Sequence, residues 1–160
     1  MKAFAALLER LVFTNGRNAK MQILHHYLRD TPDPDRGWAL AAITGQLELR
    51  NIGPALLRRM ISDRVDSELF DISYHFVGDL AETIALLWPE PAGQRDISLS
   101  DAVAVLQSSG RNGQEIAALL DQFDKDSRLA FLKLGTGNLR LGLSARLARS
   151  RLASRDPISS

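Results

Sequence analysis

The 160-residue chain has no cysteine. That excludes disulfides, thiolate metal sites and cysteine nucleophiles, and it fits a reducing cytoplasm, the expected location. No apolar run approaches the ~18 residues of a membrane span. The opening MKAFAALLERL carries Glu9 and Arg10 where a signal peptide keeps an apolar core. Aromatics are scarce, at 6%, and form no obvious stacking platform, which disfavours single-strand nucleic-acid binding. Net charge is only +1, so bulk charge selects no partner. His25 and His26 point to different helix faces and make no ligand spacing with His75, so no metal is expected. GTGNLRLG is neither a P-loop nor a dinucleotide fingerprint, since no G-K-[ST] follows. Ser144 and Ser150 have no recognisable base partner. Asp79 and Glu82, three apart, read as a solvated face or helix-start acids rather than a carboxylate site.

What is present is a core and an uneven charge distribution. The chain is 45% hydrophobic, enough for one domain. Apolar residues recur at helical spacing almost throughout. Phe4, Leu7, Leu8, Leu11 and Val12 mark a first helix; Met21, Ile23, Leu24, Tyr27 and Leu28 mark a second, ended by TPDPD. Pro54 suits a first helical turn, and Ser98 or Ser100 suits an N-cap. No strand alternation is sustained beyond a short pairing of LEL with LRL. The prediction is an all-α compact bundle of about nine or ten short helices. From Asp63 to Asp101 there are nine acids and two arginines, whereas from Ser127 to Arg155 there are seven basic residues and no acid. The basic end is a candidate anion surface. The acidic middle is the candidate partner surface of an alternative reading, a helical protein–protein interaction module.

The chain also repeats itself. GRN occurs at 16–18 and 110–112, and TGQLEL at 44–49 returns as TGNLRL at 136–141. The offsets, 94 and 92, nearly agree, which predicts an internal duplication with a pseudo-two-fold arrangement. Each GRN precedes a helix, whose start offers free N–H groups and a positive dipole end. Arg17, Lys20 and Arg111 would reinforce phosphate binding there; the alternative is ordinary capping by Asn15, Asn18 or Ser109. Each T-G-x-L-x-L turn uses a glycine for close backbone approach, with alternating leucines inward. Arg140 then points outward in the second copy where the first has Glu48, so only the second suits an anion. The segment that follows reads as a helix capped by Ser144. There Arg146 and Arg149 share one face and Arg151 and Arg155 another, placed to straddle a phosphate backbone.

Three stretches carry a resemblance. AFAALLERLVFTNGRNAKMQILHHYLR, VGDLAETIALLWP and LKLGTGNLRLGLSARLA resemble, in order, the N-terminal DNA-binding domain of ATP-dependent DNA ligases, particularly bacterial ones. The resemblance runs over about residues 3 to 153, and TGNLRLGLS is its most specific segment. It implies an all-helical, pseudo-symmetric domain at 1–153 with a flexible tail at 154–160. Such a domain holds nicked duplex across the minor groove through the sugar-phosphate backbone, in support of ligation in repair, replication and recombination. It implies that Gly137, Asn138, Arg140 and Gly142 lie in a DNA-contacting turn. It also puts Arg17, Asn18 and Lys20, and Ser109, Arg111, Asn112 and Gly113, at helix starts facing phosphates. The family's adenylated lysine lies in K-x-D-G within a later domain, and no lysine here (Lys2, Lys20, Lys125, Lys133) has that context. No cofactor is therefore expected in this chain. ATP and Mg belong to a full-length ligase, whose catalytic nucleotidyltransferase domain would act in cis or in trans. Met1 looks like a natural start, and the chain reads as either an excised fragment or a free-standing domain.

Overall fold

The computed structural model describes residues 1–47, 49, 52–90, 93, 95–108, 113–139, 141 and 143. Nine helices run through these residues and no strand is present among them: α1 (Lys2–Val12), α2 (Arg17–Asp30), α3 (Asp35–Ile43), α4 (Pro54–Ser62), α5 (Ser67–Val77), α6 (Leu80–Leu87), α7 (Leu99–Ser108), α8 (Gln114–Leu120) and α9 (Lys125–Thr136). The all-α prediction holds. The pairing of LEL with LRL is not present as a strand among the described residues.

Local chemistry sets the helix ends. Asp66, Asp79 and Asp124 occupy the N-caps of α5, α6 and α9, and each carboxylate accepts an N–H three residues on. Ser98 does the same for α7, accepting from Asp101 N–H at 3.1 Å. Pro54 opens α4 in the first turn, where its missing N–H costs nothing. Gly78 closes α5 with φ 77°, a left-handed conformation that favours glycine.

The duplication is visible in the packing. α1, α2 and α3 lead to the first T-G turn, and α7, α8 and α9 to the second. α1 packs on α9, and α7 packs on α3. The first helix of each set thus lies on the third helix of the other, as in an isologous dimer. Asp35, at the start of α3, extends the exchange: its carboxylate accepts the N–H groups of Leu99 and Ser100 at the start of α7, at 3.3 and 3.0 Å. Between the sets, α4, α5 and α6 form a bridging layer, with α6 against α9 and α4. Trp88, at the end of α6, donates to Asp121 at 2.9 Å and lies under the Arg64 guanidinium at 4.4 Å. The core is continuous, from Phe4 and Leu11 through Ile84 and Leu106 to Phe123 and Phe131. Val12 departs from the predicted stripe. It is 60% exposed although it lies one turn beyond buried Leu8, and it lines a groove with that residue.

Burial alone would raise the Asp124 carboxyl. The Ser127 N–H and hydroxyl, with the charges of Lys2 and Arg128, outweigh it and hold the group below the usual carboxylate range. Asp79 is held low in the same sense: burial pushes it up, and the Glu82 N–H and Lys133 pull it down further. A depressed folded-state value stabilises the fold above the unfolded value, about 3.9, and that stability is lost as pH falls through the folded value. Asn at either position keeps a cap and removes the charge. Asp79→Asn and Asp124→Asn are therefore expected to flatten the fall in unfolding free energy below about pH 4. Urea titrations across that range measure it, and an unchanged slope in both variants contradicts the assignment.

Candidate nucleic-acid interface

The first GRN stretch is part of a helix. Gly16 is the N-cap of α2 with φ 92°, and Arg17 and Asn18 are its first two residues, both exposed. No side chain caps this end and no acid lies in its first turn. Asn15 and Asn18 therefore do not cap α2, and its first residues, Arg17 among them, are exposed. Lys20, one turn on, is half-buried, and its ammonium donates to the Leu141 carbonyl at 2.8 Å. That bond ties the start of α2 to the second T-G turn, so two of the predicted anion-contacting segments lie side by side.

The two T-G turns are built alike. Gly45 has φ 76° and Gly137 φ 75°. Thr44 and Thr136 each donate a hydroxyl to the carbonyl four residues back, both at 2.7 Å. Gly45 N–H bonds to Ala42 and Gly137 N–H to Leu134, both at 3.3 Å. Gln46 N–H bonds to Ala41 at 2.9 Å and Asn138 N–H to Lys133 at 3.0 Å. Both are helix C-terminal caps of the Schellman type. Every one of these equivalences has the offset of 92 found in the sequence. Leu49 and Leu141 are buried, while Leu47 and Leu139 are half-buried. Gly137 and Asn138 are exposed at the turn's edge.

The second GRN stretch, 110–112, lies outside the described residues. α8 begins at Gln114, behind a buried N-cap Gly113 with φ 56°. A Cβ on Gly113 would sit 2.6 Å from Leu56 Cδ1 of α4; glycine there allows the start of α8 to pack closely on α4. Gly113, Gln114, Arg59 and Arg64 border a cleft of about 500 Å³ between α4 and α8. Ser109, Arg111, Asn112, Arg140, Gly142, Ser144, Arg146 and Arg149 lie outside the described residues.

Side chains also reduce the basic surface counted from sequence. Arg128 is 1% exposed and donates to the Trp88 and Pro89 carbonyls. Lys133 is paired with Asp79 at 3.0 Å. Neither is free to meet an anion, whereas Arg17 is exposed. Sequence reasoning also missed Phe13. It is 81% exposed at the end of α1, three residues before Gly16, and with Val12, Leu8, Asn138 and Leu139 it lines a groove of about 700 Å³. The signal was in the register: Phe13 falls outside the Phe4–Leu7–Leu11 stripe. Among the described residues no group of carboxylates and histidines could hold a metal, and no helix is long and apolar enough to cross a membrane.

The family model for the DNA ligase N terminus matches residues 1–153. The chain belongs to that family. No individual curated protein matches it. The ligase N-terminal family brings a role in DNA ligation with it, and the all-α, internally repeated fold described above is the form that role takes here. The segments quoted from the sequence as ligase-like map onto α1–α2, α6 and the end of α9 with its T-G turn. α1 and α9 pack together, and Lys20 joins α2 to the turn.

Proposed function

We propose that this ligase N-terminal domain holds duplex DNA, nicked or intact, without sequence preference, and keeps it in place for a catalytic nucleotidyltransferase domain acting in cis or in trans in the cytoplasm. The observation that carries the reading is the Lys20–Leu141 bond. It ties α2, whose uncapped start carries Arg17, to Leu141, three residues beyond the exposed Asn138. Helix-start N–H groups and arginines bind phosphate oxygens, and a glycine turn lets backbone approach a strand. Such contacts position a duplex and carry no sequence information. The pseudo-two-fold fits the approximate dyad of a duplex, with one half directed to each strand. Arg140, Arg146 and Arg149 would neutralise neighbouring phosphates on the side of the second turn.

Duplex affinity should therefore fall steeply with salt and change little with sequence, with a slope of about −0.9 per phosphate neutralised. Fluorescence anisotropy on nicked and intact duplexes from low to physiological salt measures this. A flat salt profile, or no binding at micromolar protein, contradicts the proposal. The chemistry belongs elsewhere: with no K-x-D-G lysine, the purified chain should take no label from ATP, and a labelled band would reveal a nucleophile.

A further inference from the structure

α5 is apolar on two sides. Its inner side carries buried Phe70 and half-buried Tyr74, stacked at 5.9 Å, with the Arg58 guanidinium of α4 over both rings. Its outer side carries Leu69, Ile72 and Phe76, which are 50%, 53% and 83% exposed. Their spacing of three and four residues puts them in one stripe, roughly 10 Å long at 1.5 Å per residue. Val12, Phe13 and Leu86 are the only large exposed apolar side chains among the described residues outside α5. Among the described residues the stripe is thus the largest group of exposed apolar side chains, which marks a contact surface.

Charge selects the occupant. Residues 65–94 contain six acids and no lysine or arginine. Three of the acids, Asp66, Glu68 and Asp71, are exposed on or at the cap of α5, and His75 is the only potential cation on that helix. A DNA strand or an anionic membrane is repelled here. A second copy of the chain would bring the same acids against themselves across a two-fold axis. What fits is an apolar stripe with positive flanks. We propose that the outer face of α5 docks an amphipathic helix of a partner protein, with its apolar anchors on Leu69, Ile72 and Phe76 and its lysines or arginines beside Glu68 and Asp71. Such a helix-on-stripe contact draws its affinity from the anchors and its choice of partner from the flanking charges.

Two synthetic amphipathic helices test this. Both carry a leucine stripe; one has lysine flanks and the other glutamate flanks. The lysine helix should bind the chain and shift NMR signals centred on 67–77, while the glutamate helix should bind at least roughly tenfold more weakly. Ile72→Ser with Phe76→Ser should weaken the lysine helix by roughly tenfold or more while leaving circular dichroism and duplex affinity unchanged. Shifts centred elsewhere, equal binding of the two helices, or no binding overturn the proposal. So does a concentration-dependent dimer that the double substitution abolishes, since the stripe is then a self-contact. DNA affinity is read separately, so either proposal can fail while the other stands.

Discussion

Replacing Arg17 by glutamate is expected to make this domain slightly more stable and a markedly worse DNA binder. Arg17 is the first residue of α2, where the helix dipole disfavours a cation and favours an anion by about 0.3–1 kcal/mol. Stability should therefore hold or rise. Binding should move the other way, because a phosphate partner becomes a repelling charge. Loss of one charge-assisted contact is worth roughly 1.5–3 kcal/mol, a factor of about ten or more, and the salt slope should lose about one contact's worth. Paired salt and thermal titrations measure both quantities. If the variant binds duplex as well as the parent, the start of α2 is only a structural turn. Arg140→Glu should weaken binding in the same way, whereas Glu48→Arg should leave it equal or tighter. The repeats therefore predict an asymmetric grip, stronger at the second T-G turn.

The second large effect concerns stability. Gly135 lies in α9, and its carbonyl accepts the Ile52 N–H at 3.2 Å where the chain from the first T-G turn passes by. A Cβ there would lie 2.5 Å from Ile52 Cδ1 and 3.0 Å from Leu106 Cδ2. Both neighbours are buried, so neither can swing into solvent. Alanine would gain about 1 kcal/mol of helix propensity and lose it again to the crowding. Valine adds two methyl groups, and overpacking of this kind costs about 1–3 kcal/mol. Gly135→Val should therefore cost about 3 kcal/mol and lower Tm by roughly 10 °C in a chain of this size. Adding Ile52→Ala should restore part of the loss, through a coupling of at least ~0.5 kcal/mol. An unchanged Tm for Gly135→Val means the halves do not meet as closely as described.

Local signals in the sequence carried the helices and the repeat. Pro54, Gly78 and the T-G pairs mark ends with chemistry of their own, and the offset of 92 between the T-G turns reappears in each turn's hydrogen bonds. What could not be read is what depends on distant partners. Arg128 and Lys133 look like members of a basic surface until the fold sets them against the Trp88 carbonyl and Asp79. Asp35 looks like a helix-start acid of its own helix, and it serves α7 instead. Lys20 was legible as a candidate cation, but not as the link to the Leu141 carbonyl. The outer stripe of α5 went unread because Leu69, Ile72 and Phe76 keep the same helical period as core residues; only neighbours decide which apolar face is covered.

The exchange of first and third helices between the two sets has a consequence for how the chain acquires its shape. α1 must find α9, more than a hundred residues away, and α3 must find α7. These are non-local encounters, and closing such loops slows folding. During synthesis at about 5–20 residues per second, α1 to α3 emerge many residues before their partners and spend seconds with Phe4, Leu7 and Leu11 uncovered. A fragment ending near Pro89 should stay largely unstructured, and one beginning near Ser98 should do no better. Mixed together, the two should gain helicity and protection from proteases, because each holds the surface the other lacks.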